Sequence, residues 1–195
     1  MAHPYLDGKM LIAMPGIGDE RFERAVIYVC AHSADGAMGL IVNHEIESLS
    51  LGSLLDRLDL AAGDDAIRLP DDVASTRVMQ GGPVETSRGF VLHSKDYFSD
   101  EATLSVDKRV GLTATLDVLR AIASGRGPRL SLLALGYTGW GPGQLESEIR
   151  QNGWLTCDAD DELIFGQDLE AKYPAALARI GINEDMLSGG HFGNA

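Results

Sequence analysis

The segment AVIYVCAHSADGAMGLIVN, residues 25–43, constrains the fold more than any other stretch of the chain. Two runs rich in β-branched and apolar residues flank an Ala34-Asp35-Gly36 turn, so they read as an antiparallel hairpin. A hairpin this apolar cannot stand alone in water and needs further strands or helices against its faces. KMLIAM (9–14), closed by Pro15-Gly16, supplies a buried strand just ahead of it.

The rest of the chain supplies the remaining layers. SLSLGSLLDRLDL (48–60) places Leu51, Leu54, Leu55 and Leu58 at helical spacing, with Ser50 as its cap. AAGDDAIRLPDD (61–72) is acidic, contains Gly and Pro, and reads as a loop. STRVMQ (75–80) and RGFVLHS (88–94) read as strands around GGPVETS (81–87), a second hairpin, and ATLSV (102–106) as a short strand. RVGLTATLDVLRAIASG (109–125) has a helical stripe of Leu112, Leu116, Leu119 and Ile122 or Ala123, with Gly125 where a C-terminal cap belongs. RLSLLALG (129–136) reads as a central strand, 142–151 as a helix, WLTCD (154–158) as a strand, and LEAKYPAALARIG (169–181) as a helix broken near Pro174. The pattern predicts an α/β fold, α+β in a stricter scheme: a mixed sheet with early hairpins and helices packed on it. It predicts one domain over 1–187, and a mobile tail over 188–195, which has little to bury.

Composition narrows the function classes. The net charge is −13, with 16 basic residues scattered among 29 acidic ones, which disfavours direct nucleic-acid binding and an anionic membrane surface. No apolar run reaches the roughly 20 residues that span a bilayer, and MAHPYLDGKM lacks the features of a signal peptide. Cys30 and Cys157 sit beside apolar residues and read as reduced, buried thiols, so the expected location is the cytoplasm. The histidines are far apart and no HExxH occurs, so neither a metal nor a cofactor is expected.

GYTGWGPGQLESEI (136–149) is the most unusual stretch. It predicts a strand ending near Gly136, a loop of glycines around Trp140, and a helix starting near Pro142. Gln144 is placed to reach back onto the loop as half of a capping box. A glycine loop before a helix suits phosphate, yet the spacing is not GxGxxG and no GxxxxGK[ST] occurs. Trp140 either fills a hole in the packing or offers a flat face to a partner. QGGPVETSRG (80–89) is similar in kind, with Glu85 and Arg88 in reach of each other. His32-Ser33 and His93-Ser94 stand at strand ends, where adjacent side chains point to opposite faces, so neither pair is itself a dyad. Asn43 closes GLIVN as a turn cap or an amide offered to a ligand.

GKMLIAMPGIGDERFERAVIYVCAHSADGAMGLIVN (8–43), GGPVETSRGFVLHS (81–94), LALGYTGWGPGQLESEI (133–149) and NGWL (152–155) resemble the signature blocks of the bacterial YqgE/AlgH family. The resemblance runs through most of the chain. It implies a bacterial cytosolic protein with a compact α/β domain, and it brings a transcriptional-regulator label but no catalytic residues. Asn43, Gly81, Gly82, Pro83, His93, Gly136, Trp140, Gly141 and Gln144 fall inside those blocks. After Asn43 a basic residue and a proline commonly follow in the family, where His44-Glu45 stand here. The leading reading is a non-enzymatic binding or adaptor module, with 80–94 and 136–144 side by side holding a protein segment or small molecule. Its site residues are Asn43, Gly81, Gly82, Pro83, His93, Trp140, Gly141 and Gln144. The alternative is a hydrolase or transferase for an anionic substrate near Gly141, with His32 or His93 as base. A third is the DNA-binding regulator, against which the charge weighs.

Overall fold

The computed structural model describes residues 5–188, so all but the first residue of the 188–195 tail lies outside the described residues. In chain order the strands and helices are β1 (Lys9–Ala13), β2 (Val26–Ser33), β3 (Gly36–Ile41), β4 (Glu45–Ser50), α1 (Leu51–Arg57), α2 (Asp71–Ala74), β5 (Arg77–Gln80), β6 (Val84–Ser94), β7 (Thr103–Ser105), β8 (Val110–Thr113), α3 (Leu116–Ala123), β9 (Ser131–Trp140), α4 (Gln144–Arg150), β10 (Trp154–Asp158), α5 (Asp161–Phe165), α6 (Leu169–Ala178) and α7 (Glu184–Ser188). Two short 3-10 turns, Pro15–Ile17 and Glu20–Phe22, link β1 to β2. The class is α/β, and no helix among the described residues is long and apolar enough to cross a membrane. Contacts gather the chain into two compact units, one of residues up to Asn43 together with those from Thr138 onward, the other His44–Tyr137.

In the first unit the strands run antiparallel in the order β10-β1-β2-β3, and the last residues of β9 pair with β3, Trp140 opposite Ala37. The 25–43 hairpin forms as its turn chemistry dictates, with Ser33 opposite Gly36. Alternation along these strands sends Leu11, Ala13, Ile27, Val29 and Ile41 to one face, where they join Trp140, Leu145 and Trp154 in a buried cluster. Helix α6 is continuous through Pro174 and is not broken there. The N–H that Pro174 lacks would have served the carbonyl of Glu170, and both residues are exposed, so water satisfies that group. On the other side of the helix Lys172, Tyr173, Ala176 and Leu177 are buried and hold it in place.

In the second unit β9 pairs in parallel with β5 and antiparallel with β6, giving the order β4-β5-β9-β6-β8-β7. The second expected hairpin does not form. β9 inserts between β5 and β6, and Gly81 N–H bonds Leu135 O, so a tertiary pairing overrides the local turn signal. The expected 109–125 helix is also divided: β8 takes 110–113, and α3 begins after Thr115. Gly111 explains why. A Cβ there would lie 2.9 Å from His93 Cε1, so this position is a close strand-to-strand approach and not a helical turn. Leu116 is consequently exposed, while Val118 is buried, with Leu119 and Ile122 packed beside it on Leu51, Leu55, Val91 and Leu133. Ser50 caps α1 through a reciprocal capping box with Ser53, as the spacing predicts.

Candidate functional site

The glycine-rich junction is shorter and more inward-looking than its composition implies. β9 continues to Trp140 instead of ending near Gly136, which leaves only Gly141–Gly143 as loop. Helix α4 starts at Gln144, not at Pro142; its cap is Gly143, held at φ 73°, a conformation that only glycine adopts cheaply. Gln144 does reach back: its Oε1 accepts from Gly141 N–H at 2.9 Å. Its amide N–H donates to Glu148 Oε1 at 3.0 Å. The other oxygen of Glu148 accepts both tryptophans, Trp140 Nε1 at 2.9 Å and Trp154 Nε1 at 2.8 Å. The two indoles meet edge to face at 5.9 Å. Trp140 is only 6% exposed, so it fills the packing of the first unit and does not present its ring to a partner.

Gly141 is exposed in the loop, whereas most of the other sequence-predicted residues are engaged by the chain itself. Gly81 and Gly82 are buried and Pro83 is half-buried, and Val84 pairs with Tyr137, so the 81–84 and 136–137 segments do meet. Gly136 has φ 74°, and a Cβ there would stand 2.4 Å from Gly82 O, so the meeting is backbone against backbone. His93 is completely buried: Nδ1–H donates to Ser94 O at 3.0 Å, and Nε2 accepts from Thr113 Oγ1 at 2.8 Å. Burial pushes its pKa below the usual histidine value, against a smaller opposing effect of the Ser94 carbonyl. Asn43 spends its amide on the chain itself, accepting from Val26 N–H at 2.9 Å and donating to Arg24 O at 2.8 Å. His32 accepts Leu6 N–H on Nδ1 and donates from Nε2 to Glu146 at 2.8 Å. Glu146's own backbone amide, then His32, hold its carboxyl below the usual carboxylate range. Both imidazoles that could serve as bases therefore have each ring nitrogen engaged by protein groups. Glu85 and Arg88 form an exposed pair at 3.4 Å, which in water contributes little.

Sequence reasoning passed over an open cleft of about 470 Å³ in the first unit. Its floor and walls come from the linker after β1 (Met14, Pro15, Ile17), the carboxylates Asp19, Glu20 and Glu23, then Arg24, Tyr173 of α6, and Glu184 and Leu187 of α7. The linker is shaped by Pro15 at the start of its first 3-10 turn and by Asp19, which caps the second by accepting Arg21 N–H at 3.0 Å. Arg21's side chain also clamps Asp19, at 2.7 Å at its shortest, and holds that carboxyl below its usual range. Arg24 lies with its guanidinium 4.9 Å from the centre of the Tyr173 ring and is ion-paired with Glu184. Tyr173 is anchored by its hydroxyl, which donates to Ala13 O at 2.6 Å, and burial raises its pKa. The only advance signal for this site was MPGIGDERFER, an irregular stretch between two buried strands. The contributions from α6 and α7 are far away in sequence and left no local mark.

The cleft is an open concavity lined by both apolar and charged side chains, the general form in which proteins receive small ligands or peptide segments. The AlgH-like family profile matches residues 10–185. A UPF0301 protein of Bradyrhizobium diazoefficiens is 59% identical over 94% of this chain and 86% of its own length. Another from Afipia carboxidovorans is 60% identical over 94% of this chain and 88% of its own. The chain belongs to the AlgH-like family. The solution structure of the AlgH protein from Pseudomonas aeruginosa is similar throughout, with a TM-score of 0.79 and 40% identity over 100% of this chain and 99% of that one. A Corynebacterium diphtheriae protein shares the fold alone, with a TM-score of 0.66 at 18% identity over 91% of this chain and 87% of that one.

Proposed function

We propose that this protein is a non-enzymatic binding module that holds a segment of a partner protein in the cleft between the 14–24 linker and α6 and α7. The observation that carries this reading is the cleft itself: an open volume of about 470 Å³ lined by both apolar and charged side chains. Extended peptides suit such a surface because alternate side chains enter it while the others face water. Trp140, Gln144, Asn43 and His93 are engaged by the chain's own groups, which is why the site is assigned here and not to the glycine-rich loops. A regulatory effect on transcription would then act through the captured partner, consistent with the net charge of −13, which weighs against direct DNA contact.

The test is a backbone amide NMR titration with a degenerate octapeptide pool. Signals of Ile17, Gly18, Glu20, Arg24 and Leu187 are expected to move. Movement confined to 81–83 and 140–144, or no movement, would refute the assignment.

A further inference from the structure

His32 stands near the end of β2 with its ring buried, and its neighbours fix which ring nitrogen carries the proton. Nδ1 accepts the Leu6 amide at 3.0 Å, and an amide N–H can only donate, so Nδ1 is unprotonated. The ring is therefore neutral, with its proton on Nε2, donated to Glu146 Oε1 at 2.8 Å. Leu6 belongs to a short strap, residues 5–8, laid against this end of β2. Tyr5 meets the imidazole edge to face at 5.2 Å, and Leu6 packs on the buried cluster of the first unit. Asp7 Oδ1 accepts the backbone N–H of His32 at 2.8 Å, and Gly8 N–H donates to Val29 O at 2.9 Å. We propose that this strap is a proton-operated latch, closed on neutral His32 and opened when the ring takes up a second proton from water.

The second proton can enter only at Nδ1. There it replaces an acceptor with a donor that faces the Leu6 N–H, so a hydrogen bond becomes a clash of two donors. On the other side of the ring the bond to Glu146 gains charge assistance and strengthens. The imidazolium therefore stays with α4, and the strap is the partner that yields. The charged groups facing His32 are Glu146 from α4 and Asp7 from the strap, while Ala37, opposite it on β3, brings no titratable group. Glu146's own backbone amide, then His32, hold its carboxyl below the usual range, and Arg150 adds to this, so Glu146 remains ionised throughout the interval in which histidine titrates. Gly8, at φ 78°, is the hinge, and its bond to Val29 O involves no ring atom, so β1 keeps its register. Lys9 N–H also donates to Leu6 O, and Lys9 is exposed, so water replaces that bond on opening. Opening lifts Leu6 from the cluster, and the first unit then shows apolar surface in acid that it covers at neutral pH.

NMR of the nitrogen-15-labelled full chain tests the latch between about pH 8 and pH 5, the interval in which histidine changes charge. Ring-nitrogen shifts at the upper pH are expected to show Nδ1 unprotonated and Nε2 protonated. As His32 takes up its proton, the order parameters of Tyr5 and Leu6 should fall from about 0.85 to below about 0.6, while that of Ile27, inside the sheet, stays high. Two variants separate the latch from general acid loosening. His32→Asn keeps an acceptor for the Leu6 amide but does not titrate, so its strap should stay ordered down to pH 5. Glu146→Gln keeps an acceptor for Nε2–H but removes the charge that favours the imidazolium, so opening should move about one unit lower in pH. The opposite tautomer in the wild type would overturn the proposal, as would a ring that takes no proton by pH 5. So would a strap that stays ordered once His32 is protonated, loosens equally in His32→Asn, or opens at the same pH in Glu146→Gln. The wild-type tautomer and order parameters decide the matter even where a variant fails to fold.

Discussion

Glu148→Ala should destabilise the first unit severely for a residue that is only half-buried. The chain has two tryptophans, and Glu148 Oε2 accepts the indole N–H of both. Removing the carboxylate leaves two donors in the core without an acceptor, each at about 1–3 kcal/mol. Water can reach part of the vacated space, so the sum falls near the lower end, about 2–4 kcal/mol. Glu148→Gln keeps an oxygen that can accept both indoles but loses the charge and the Gln144 contact, so about half that loss is expected. Trp140→Ala should cost about 3–5 kcal/mol, as a buried aromatic truncated within a packed cluster. Equilibrium urea unfolding followed by tryptophan emission reads this directly, because both fluorophores lie in the first unit. A Glu148→Ala midpoint equivalent to less than about 0.5 kcal/mol from wild type would show that the carboxylate does not organise the junction.

Three further outcomes follow from the same bonding. Because burial lowers the pKa of His93 below the ordinary histidine value of 6.5, the unfolded chain binds more protons as pH falls through 6.5. Stability from this residue is therefore complete above that value and declines below it, and His93→Gln should flatten the fall in urea midpoint between pH 7.5 and pH 5.5. An unchanged slope would exclude His93 as its source. Gly136→Ala forces a Cβ to 2.4 Å from Gly82 O at a φ of 74° and should cost more than about 2 kcal/mol in chemical denaturation, whereas a neutral result would contradict the close approach. Asn43→Ala removes two hydrogen bonds that fix the chain beside Arg24 and should lower stability by about 1–3 kcal/mol; no change would restore Asn43 as a ligand-facing amide.

The strands of the first unit were legible because their signals are local. The Ala34-Asp35-Gly36 turn sets the register of β2 and β3, and Pro15 ends the stretch that holds β1. The second unit was less legible because β9 belongs between β5 and β6 but is separated from both along the chain, so its pairing leaves no trace in the 75–94 pattern. At 110–113 a helical stripe gave way to a strand because Gly111 packs on His93, a contact that no local spacing encodes. Trp140 was ambiguous in the sequence because its orientation depends on Glu148 and Trp154, which only folding brings beneath it. The cleft was invisible for the same reason: its aromatic and one of its carboxylates arrive from α6 and α7.

The cleft's role is tested most directly by photo-crosslinking in living cells, with a benzophenone amino acid placed at Ile17 in one strain and at Gly141 in another. Ile17 is half-buried in the cleft wall, while Gly141 is exposed in the glycine-rich loop. The account predicts a discrete adduct from position 17 and none from position 141. Adducts from position 141 with none from position 17 would contradict it and return the site to the loop.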